Sequence, residues 1–210
     1  PWHNRSAFAD PDYKPVDFDL KEAVKLLKED GWSDSDGDQI LDKKINGKKT
    51  DFRFTTLLPG QSFKKYMVIF QEDAKNAGID IQVKITEWNT FIKKIDERDF
   101  DAVVLAWGAD ESENYDPKQI WHSDSIKNKG SNFISYKNPE VDKLIDKIRL
   151  TLDKKERIKL MRKAYRMIAD DVPYAFLFNH KYSLYAHSAR MKMKKNVYGY
   201  GVGYRLWWMD

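Results

Sequence analysis

The sequence predicts an α/β fold in which a mostly parallel sheet carries helices on both faces. Three observations point there. Strand and helix signals alternate across residues 52–107, the pattern of strands joined by helical crossovers. Within that stretch Ile79, Ile81, Val83 and Ile85 alternate strictly with polar neighbours, the period-two signature of a half-buried strand. Residues 100–107 (FDAVVLAW) then form a nearly continuous apolar run, as a central parallel strand covered on both faces does.

The elements follow in order. Residues 1–18 are rich in Pro, Asp and aromatics without a period and read as an irregular lead-in. A helix begins after Asp19, its N-cap, with Glu22 completing a capping box. Leu20, Ala23, Val24 and Leu27 share one face, and Gly31 stops it. Trp32 opens an acidic turn through Asp34, Asp36 and Asp38 that runs to Gly47. Residues 52–58 (FRFTTLL) read as a strand ending at Pro59-Gly60. Phe63, Met67, Phe70 and Ala74 mark a helix closing at Ala77-Gly78, and residues 89–98 a shorter helix with Phe91, Ile92 and Ile95 inward. Asn138-Pro139 starts a helix carrying Val141, Leu144, Ile145 and Ile148. Asp153 caps a longer one, with Ile158, Met161, Tyr165 and Ile168 on its buried face and Lys154, Arg157 and Arg166 outward. After Pro173, residues 174–178 (YAFLF) read as a returning strand, and the glycine- and aromatic-rich end as a flexible tail.

Composition narrows the function. Hydrophobic residues make up 41% and aromatics 14%, too much apolar material for a disordered chain. Lys and Arg number 37 against 33 Asp and Glu, interleaved throughout, so no face carries the basic cluster that nucleic acid requires. With no cysteine, thiolate nucleophiles and Cys-ligated zinc are excluded. No apolar run approaches the ~18 residues of a membrane span. The four histidines, at 3, 122, 180 and 187, show no metal-ligand spacing, and no nucleophile elbow or phosphate loop follows a strand. No cofactor and no catalytic residue is expected.

The acidic turn resembles part of a calcium loop, with Asp34, Asp36, Asp38 and Asp42 at positions one, three, five and nine. Gln39 stands where such a loop has glycine, and Ile45 where it has its bidentate carboxylate. A solvated Asp-Gly-Asp turn is the simpler reading, and no metal site is assigned.

Several marks occur in one order: Leu26-Leu27 to Gly31-Trp32, the acidic turn leading to residues 40–43, Gly47-Lys48, Gly78-Ile79, Glu87-Trp88, Phe100-Asp101-Ala102 before Trp107, Asp116-Pro117, residues 131–133 (SNF), Tyr136, Val141-Asp142, and Arg157 before Asp171-Val172-Pro173. In this the chain resembles the C-terminal portion of the extracellular solute-binding proteins, family 5, that serve dipeptide and oligopeptide ABC importers. The resemblance spans roughly residues 18–180. It implies a periplasmic-binding-protein-like lobe over residues 19–210, preceded by the lead-in at 1–18 from an amino-terminal lobe outside this chain. It further implies a binding protein that is not an enzyme, a peptide ligand held between two lobes, and a membrane permease as partner. Localisation would be periplasmic or extracellular, with any export signal or lipid anchor outside this chain. The alternative within the same fold is a non-peptide solute such as a sugar, an opine or a nickel complex. A hydrolase has no motif in its favour.

In α/β sheets ligands collect beyond the carboxyl ends of the strands, which directs attention to Trp107, Gly108, Ala109 and Asp110. The resemblance places Asp110 where peptide-binding members hold a carboxylate that pairs with the ligand's α-amino group. That chemistry is sound, because an ammonium stripped of water needs a positioned carboxylate. A turn or N-cap aspartate is the structural alternative. The inserted acidic stretch leaves Glu111 and Glu113 in contention for the same contact. Trp107 is expected either to wall the pocket or to pack in the core. Asn132 is expected to bond the peptide backbone, with Phe133 and Ser131 beside it.

Overall fold

The computed structural model describes residues 6–107, 116–127, 130–178, 186–193 and 207–209. They pack as two compact units, Lys14–Trp107 and Pro1–Tyr13 with Gly108–Asp210.

In the first unit, α1 (Leu20–Glu29) is capped as its sequence implies, with the Asp19 carboxylate accepting from the Glu22 amide at 2.9 Å. Leu20, Ala23, Val24 and Leu27 are half-buried while Leu26 lies exposed, so the apolar stripe is the face that packs. Gly31, at φ +88°, lets the chain leave the helix, and the Trp32 amide reaches back to the Leu27 carbonyl. An antiparallel hairpin follows, β1 (Asp42–Ile45) on β2 (Lys48–Asp51). Asn46 and Gly47 both have positive φ, 52° and 78°, as a type I′ two-residue turn requires.

The central element is β3 (Arg53–Leu58). It is paired in parallel on one side with β4 (Asp80–Ile85) and on the other with β5 (Ala102–Val103), in the order β4-β3-β5. The crossovers are α2 (Lys64–Asn76) and α3 (Trp88–Glu97). The strand–helix–strand–helix–strand order over residues 52–107 is thus the α/β arrangement the alternation predicts. Leu58, Met67 and Val104 form the core of this sheet, with Phe63 and Val83 packed against them. Phe91 and Ile95 are buried on α3 as their spacing requires, whereas Phe70 on α2 is exposed.

The second unit has a larger core. α5 (Pro139–Leu150) and α6 (Lys154–Asp170) pack together, burying Val141, Ile145, Ile148, Met161, Ala164, Tyr165 and Ile168. Each fully buried Val or Ile contributes roughly 1.5–3 kcal/mol. Asn138 caps α5 and Asp153 caps α6 through their side chains. The short α4 (Lys118–Trp121) adds Ile120 and Trp121. Phe8, from the lead-in, is buried in this same core, where Arg157 lies over its ring and Arg162 donates to the Ala7 carbonyl. The unit also holds a two-residue pairing of β6 (Met191–Lys192) with β7 (Trp208–Met209).

Two expectations are corrected. The apolar run at 100–107 is an edge strand among the described residues, with only Ala102 and Val103 paired and Ala106 and Trp107 exposed. The centre is β3, whose residues 56–58 are all buried. A continuous apolar run reports burial of some kind; it does not order strands. Residues 174–178 form no strand. Tyr174 and Phe176 instead lie beside Trp121, with ring centroids 4.8 and 6.4 Å from it, so their apolarity serves an aromatic cluster.

Candidate functional site

The carboxyl ends of the three parallel strands lie at one end of the sheet. β3 ends at Leu58 before Pro59-Gly60, and β4 ends at Ile85 before Thr86 and Glu87. The Thr86 amide donates to the Leu58 carbonyl at 2.8 Å, continuing the ladder past β4. The Glu87 carboxylate caps α3, accepting from the Asn89 and Thr90 amides. β5 is tied to β3 beyond its two paired residues by the Val104 amide, which donates to the Leu57 carbonyl at 3.0 Å. The chain then runs out of the sheet to Trp107, which is 40% exposed. That is too much surface for a tryptophan enclosed in the core. Gly108, Ala109 and Asp110, together with Glu111 and Glu113, lie outside the described residues.

In the other unit, Asn132 is fully buried. Its Nδ2 donates to the His122 carbonyl at 3.2 Å and to the Tyr136 carbonyl at 2.9 Å, and its Oδ1 accepts from the Tyr136 amide at 2.9 Å. The amide is spent inside the protein, clamping the segment after α4 to the turn before α5. Phe133 beside it is half-buried, and Ser131 accepts from Gln119 at 3.1 Å.

Sequence reasoning passed over two polar centres here. His122 is buried, its Nδ1 accepting from the Asp124 amide at 3.0 Å and its Nε2 lying 3.5 Å from an Asp146 oxygen. Asp142 accepts from the amide and the hydroxyl of Ser123, which ties α5 to the same segment. The Tyr136 hydroxyl donates to Asp171 at 2.5 Å, and Asn138 Nδ2 donates to the same carboxylate at 2.8 Å. Burial and the Asp171 carboxylate push the Tyr136 phenol up from its ordinary value. The Tyr136 and Asn138 donors hold Asp171 below the usual carboxylate range.

The acidic turn brings Asp34, Asp36 and Asp42 carboxylate oxygens within 4.8 Å of one another. Asp38 instead caps the Ile40 amide at 2.8 Å. Gly37 and Gln39 amides donate to Asp34, with Gln39 at φ +70°, and Ser35 donates through its amide and its hydroxyl to Asp42. The Lys49 ammonium pairs with Asp36 and Asp42. The Ser35 donors, then Lys49, hold Asp42 below its ordinary value. This lysine offsets part of the negative charge that the three carboxylates bring together.

The family is settled by comparison with known proteins. Residues 1–129 match the model of the bacterial extracellular solute-binding proteins, family 5 Middle. The chain belongs to this family. Among its relatives, the oligopeptide-binding protein AppA of Bacillus subtilis is 36% identical over 193 residues, which cover 91% of this chain and 33% of that protein. OppA of the same organism is 31% identical over 104 residues, 50% of this chain and 18% of the relative. The solved structure of Bacillus subtilis AppA in complex with a nonapeptide superposes with a TM-score of 0.83 at 29% identity, covering all of this chain and 42% of the other. The family 5 chain described here therefore spans about a third of the length of its relatives.

Proposed function

We propose that this family 5 chain supplies one wall of a peptide-binding cleft in the substrate-binding component of an ABC importer, and that it performs no chemistry. The observation that carries this reading is the likeness, over 91% of the chain in sequence and all of it in fold, to a protein solved with a nonapeptide bound. The protein would be exported, periplasmic or extracellular, and would deliver peptide to a membrane permease. Residues 1–18 would enter from the amino-terminal lobe and residues 19–210 would form the carboxyl-terminal one, the two closing on the ligand as a hinged clamp. In this reading Asp110 meets the peptide's α-amino group, with Gly108 and Ala109 carrying the backbone past it. Trp107 and Phe133 are the aromatic residues proposed to meet the ligand, and Asn132 holds its own segment, from His122 to Tyr136, in place from inside.

The test is titration calorimetry on the full-length protein. Asp110→Asn is expected to weaken binding of peptides with free N-termini by more than roughly tenfold, the scale of loss for a desolvated charge pair. Equal affinity for free and N-acetylated peptides sinks the amine-anchor role. A loss that follows Glu111→Gln or Glu113→Gln moves the anchor to that residue. Saturable binding of a nickel complex or an oligosaccharide with no peptide binding replaces the peptide reading outright, and peptide turnover replaces the binding-protein reading.

A further inference from the structure

We propose that the tip of the α5–α6 hairpin is a surface that rests on an anionic phospholipid bilayer; this goes beyond the reading above and holds whichever solute the protein carries. Leu150 closes α5 at 84% exposure, and Leu152 stands just before α6 at 94%. Single exposed apolar residues are ordinary, but these two share one apex. Hydrogen bonds hold the turn that carries them. The Thr151 amide donates to the Ile148 carbonyl at 3.1 Å and its hydroxyl to the Lys147 carbonyl at 2.8 Å, while the Asp153 carboxylate accepts from the Glu156 amide at 2.8 Å. Ile148 and Leu160, on either side of the turn, fill the core of their unit. That core is therefore closed beneath the tip, and the two leucines stand outside it.

The charge around them is one-sided. Residues 147–155 carry four cations, Lys147, Arg149, Lys154 and Lys155, against the single acid Asp153, and all four cations lie exposed. The acids beside this stretch face other cations: Asp116 pairs with Arg149 at 3.0 Å, Asp146 lies 3.5 Å from Lys118, and Glu156 lies 3.9 Å from Lys159. Lys147 and Arg149 suit the negative end of α5, but Lys154 and Lys155 occupy the first turn of α6, where the helix dipole disfavours a cation. Helix formation does not account for these two lysines, whereas an anionic partner does. Aliphatic tips ringed by lysine match a bilayer interface, because leucine enters the boundary of the acyl chains while the lysine stems reach back to the headgroups. A nucleic acid would engage the charges and leave both leucines in water.

The experiment is flotation of the full-length protein, free of any lipid anchor, with vesicles of phosphatidylcholine alone or of phosphatidylcholine mixed with phosphatidylglycerol, alongside the melting temperature. The wild type is expected to float with the anionic vesicles and not with the neutral ones, and to be released near 1 M salt, where the Debye length falls to about 3 Å. Leu150→Ser combined with Leu152→Ser is expected to weaken partitioning by about tenfold or more, the scale of one leucine withdrawn from an apolar phase. Lys154→Gln combined with Lys155→Gln weakens it by roughly ten- to thirtyfold on anionic vesicles. Both double variants keep the wild-type melting temperature, since none of the four side chains is buried. Equal flotation with neutral and anionic vesicles, or flotation unchanged in the leucine variant, overturns the inference. A melting temperature lowered by the leucine substitutions shows that another part of the full-length protein covers the tip, and overturns it too. Binding only to vesicles that hold the importer's permease replaces the bilayer by a protein partner, with the same result. Failure of the peptide reading leaves every one of these outcomes as it stands.

Discussion

Replacing Asn132 with alanine separates a structural amide from a ligand contact, and the structure fixes the size of the effect. Three backbone hydrogen bonds are lost at once, those to the His122 carbonyl, the Tyr136 carbonyl and the Tyr136 amide, although the His122 carbonyl keeps the Ser125 amide as a second donor. Each net hydrogen bond is worth about 1 kcal/mol, and more where the abandoned group stays dry. With the side chain fully buried, the loss is about 3 to 5 kcal/mol. For a chain of this size that lowers the melting temperature by roughly 10 °C. Urea unfolding at pH 7, followed by tryptophan fluorescence and circular dichroism, reads it directly. Asn132→Asp is worse, since it keeps the acceptor for Tyr136 but turns a carboxylate toward two carbonyls. A loss below about 1 kcal/mol for Asn132→Ala refutes the clamp, because no arrangement that breaks three buried bonds is so mild. In the full-length protein, well below its melting temperature, the same variant should change peptide affinity less than Asp110→Asn does.

The remaining predictions test local devices. Gly78 has φ +84°, and a methyl added there meets Leu41 Cγ at 2.6 Å, so Gly78→Ala should cost about 2 kcal/mol in chemical denaturation. Trimming Leu41 to alanine in the same chain should relieve the clash but leave the backbone part, and full recovery would show that the positive φ carries no strain. Tyr136→Phe should alter the pH dependence of stability at both ends. Asp171 is depressed, so its contribution is present above its ordinary pKa of 3.8 and is lost as pH falls through the lower folded value. Tyr136 is raised, so its contribution is present below its ordinary value of 10.0 and is lost as pH rises through the higher folded value. Urea midpoints of the phenylalanine variant should fall less steeply in acid and in strong base, and curves parallel to the wild type would count against the pair.

How much of this was legible in the residues depends on which forces act locally. α1, α3, α5 and α6 were readable because each carries a capping side chain and an apolar stripe, and both signals act within one or two turns of chain. The hairpin at 42–51 was absorbed into the acidic turn although Asn46-Gly47 is a strong turn pair. Its strands are lysine-rich and present no alternating apolar face, so only the turn announced them. The place of β5 at the edge was not readable, since strand order is decided by which backbone edges meet across tens of residues. The aromatic run at 174–178 is apolar for a cluster with Trp121, and a five-residue window cannot tell a ring cluster from a strand.

The site divides along the same line. The strand that leads to Trp107 could be read because its direction follows from the fold class, and the fold class was sound. Asn132 shows the opposite case. An asparagine between a serine and a phenylalanine, in a stretch without period, looks like an exposed polar contact, yet here it bonds chain segments ten and four residues away and is sealed from water. Nothing near it in sequence signals burial, because its partners are main-chain atoms and carry no residue identity. Asp101 is concealed for the same reason, since its partner is the Thr55 backbone amide. Side chains that serve distant backbone groups are therefore where sequence reasoning falls short, because no apolar contact and no partner side chain advertises them.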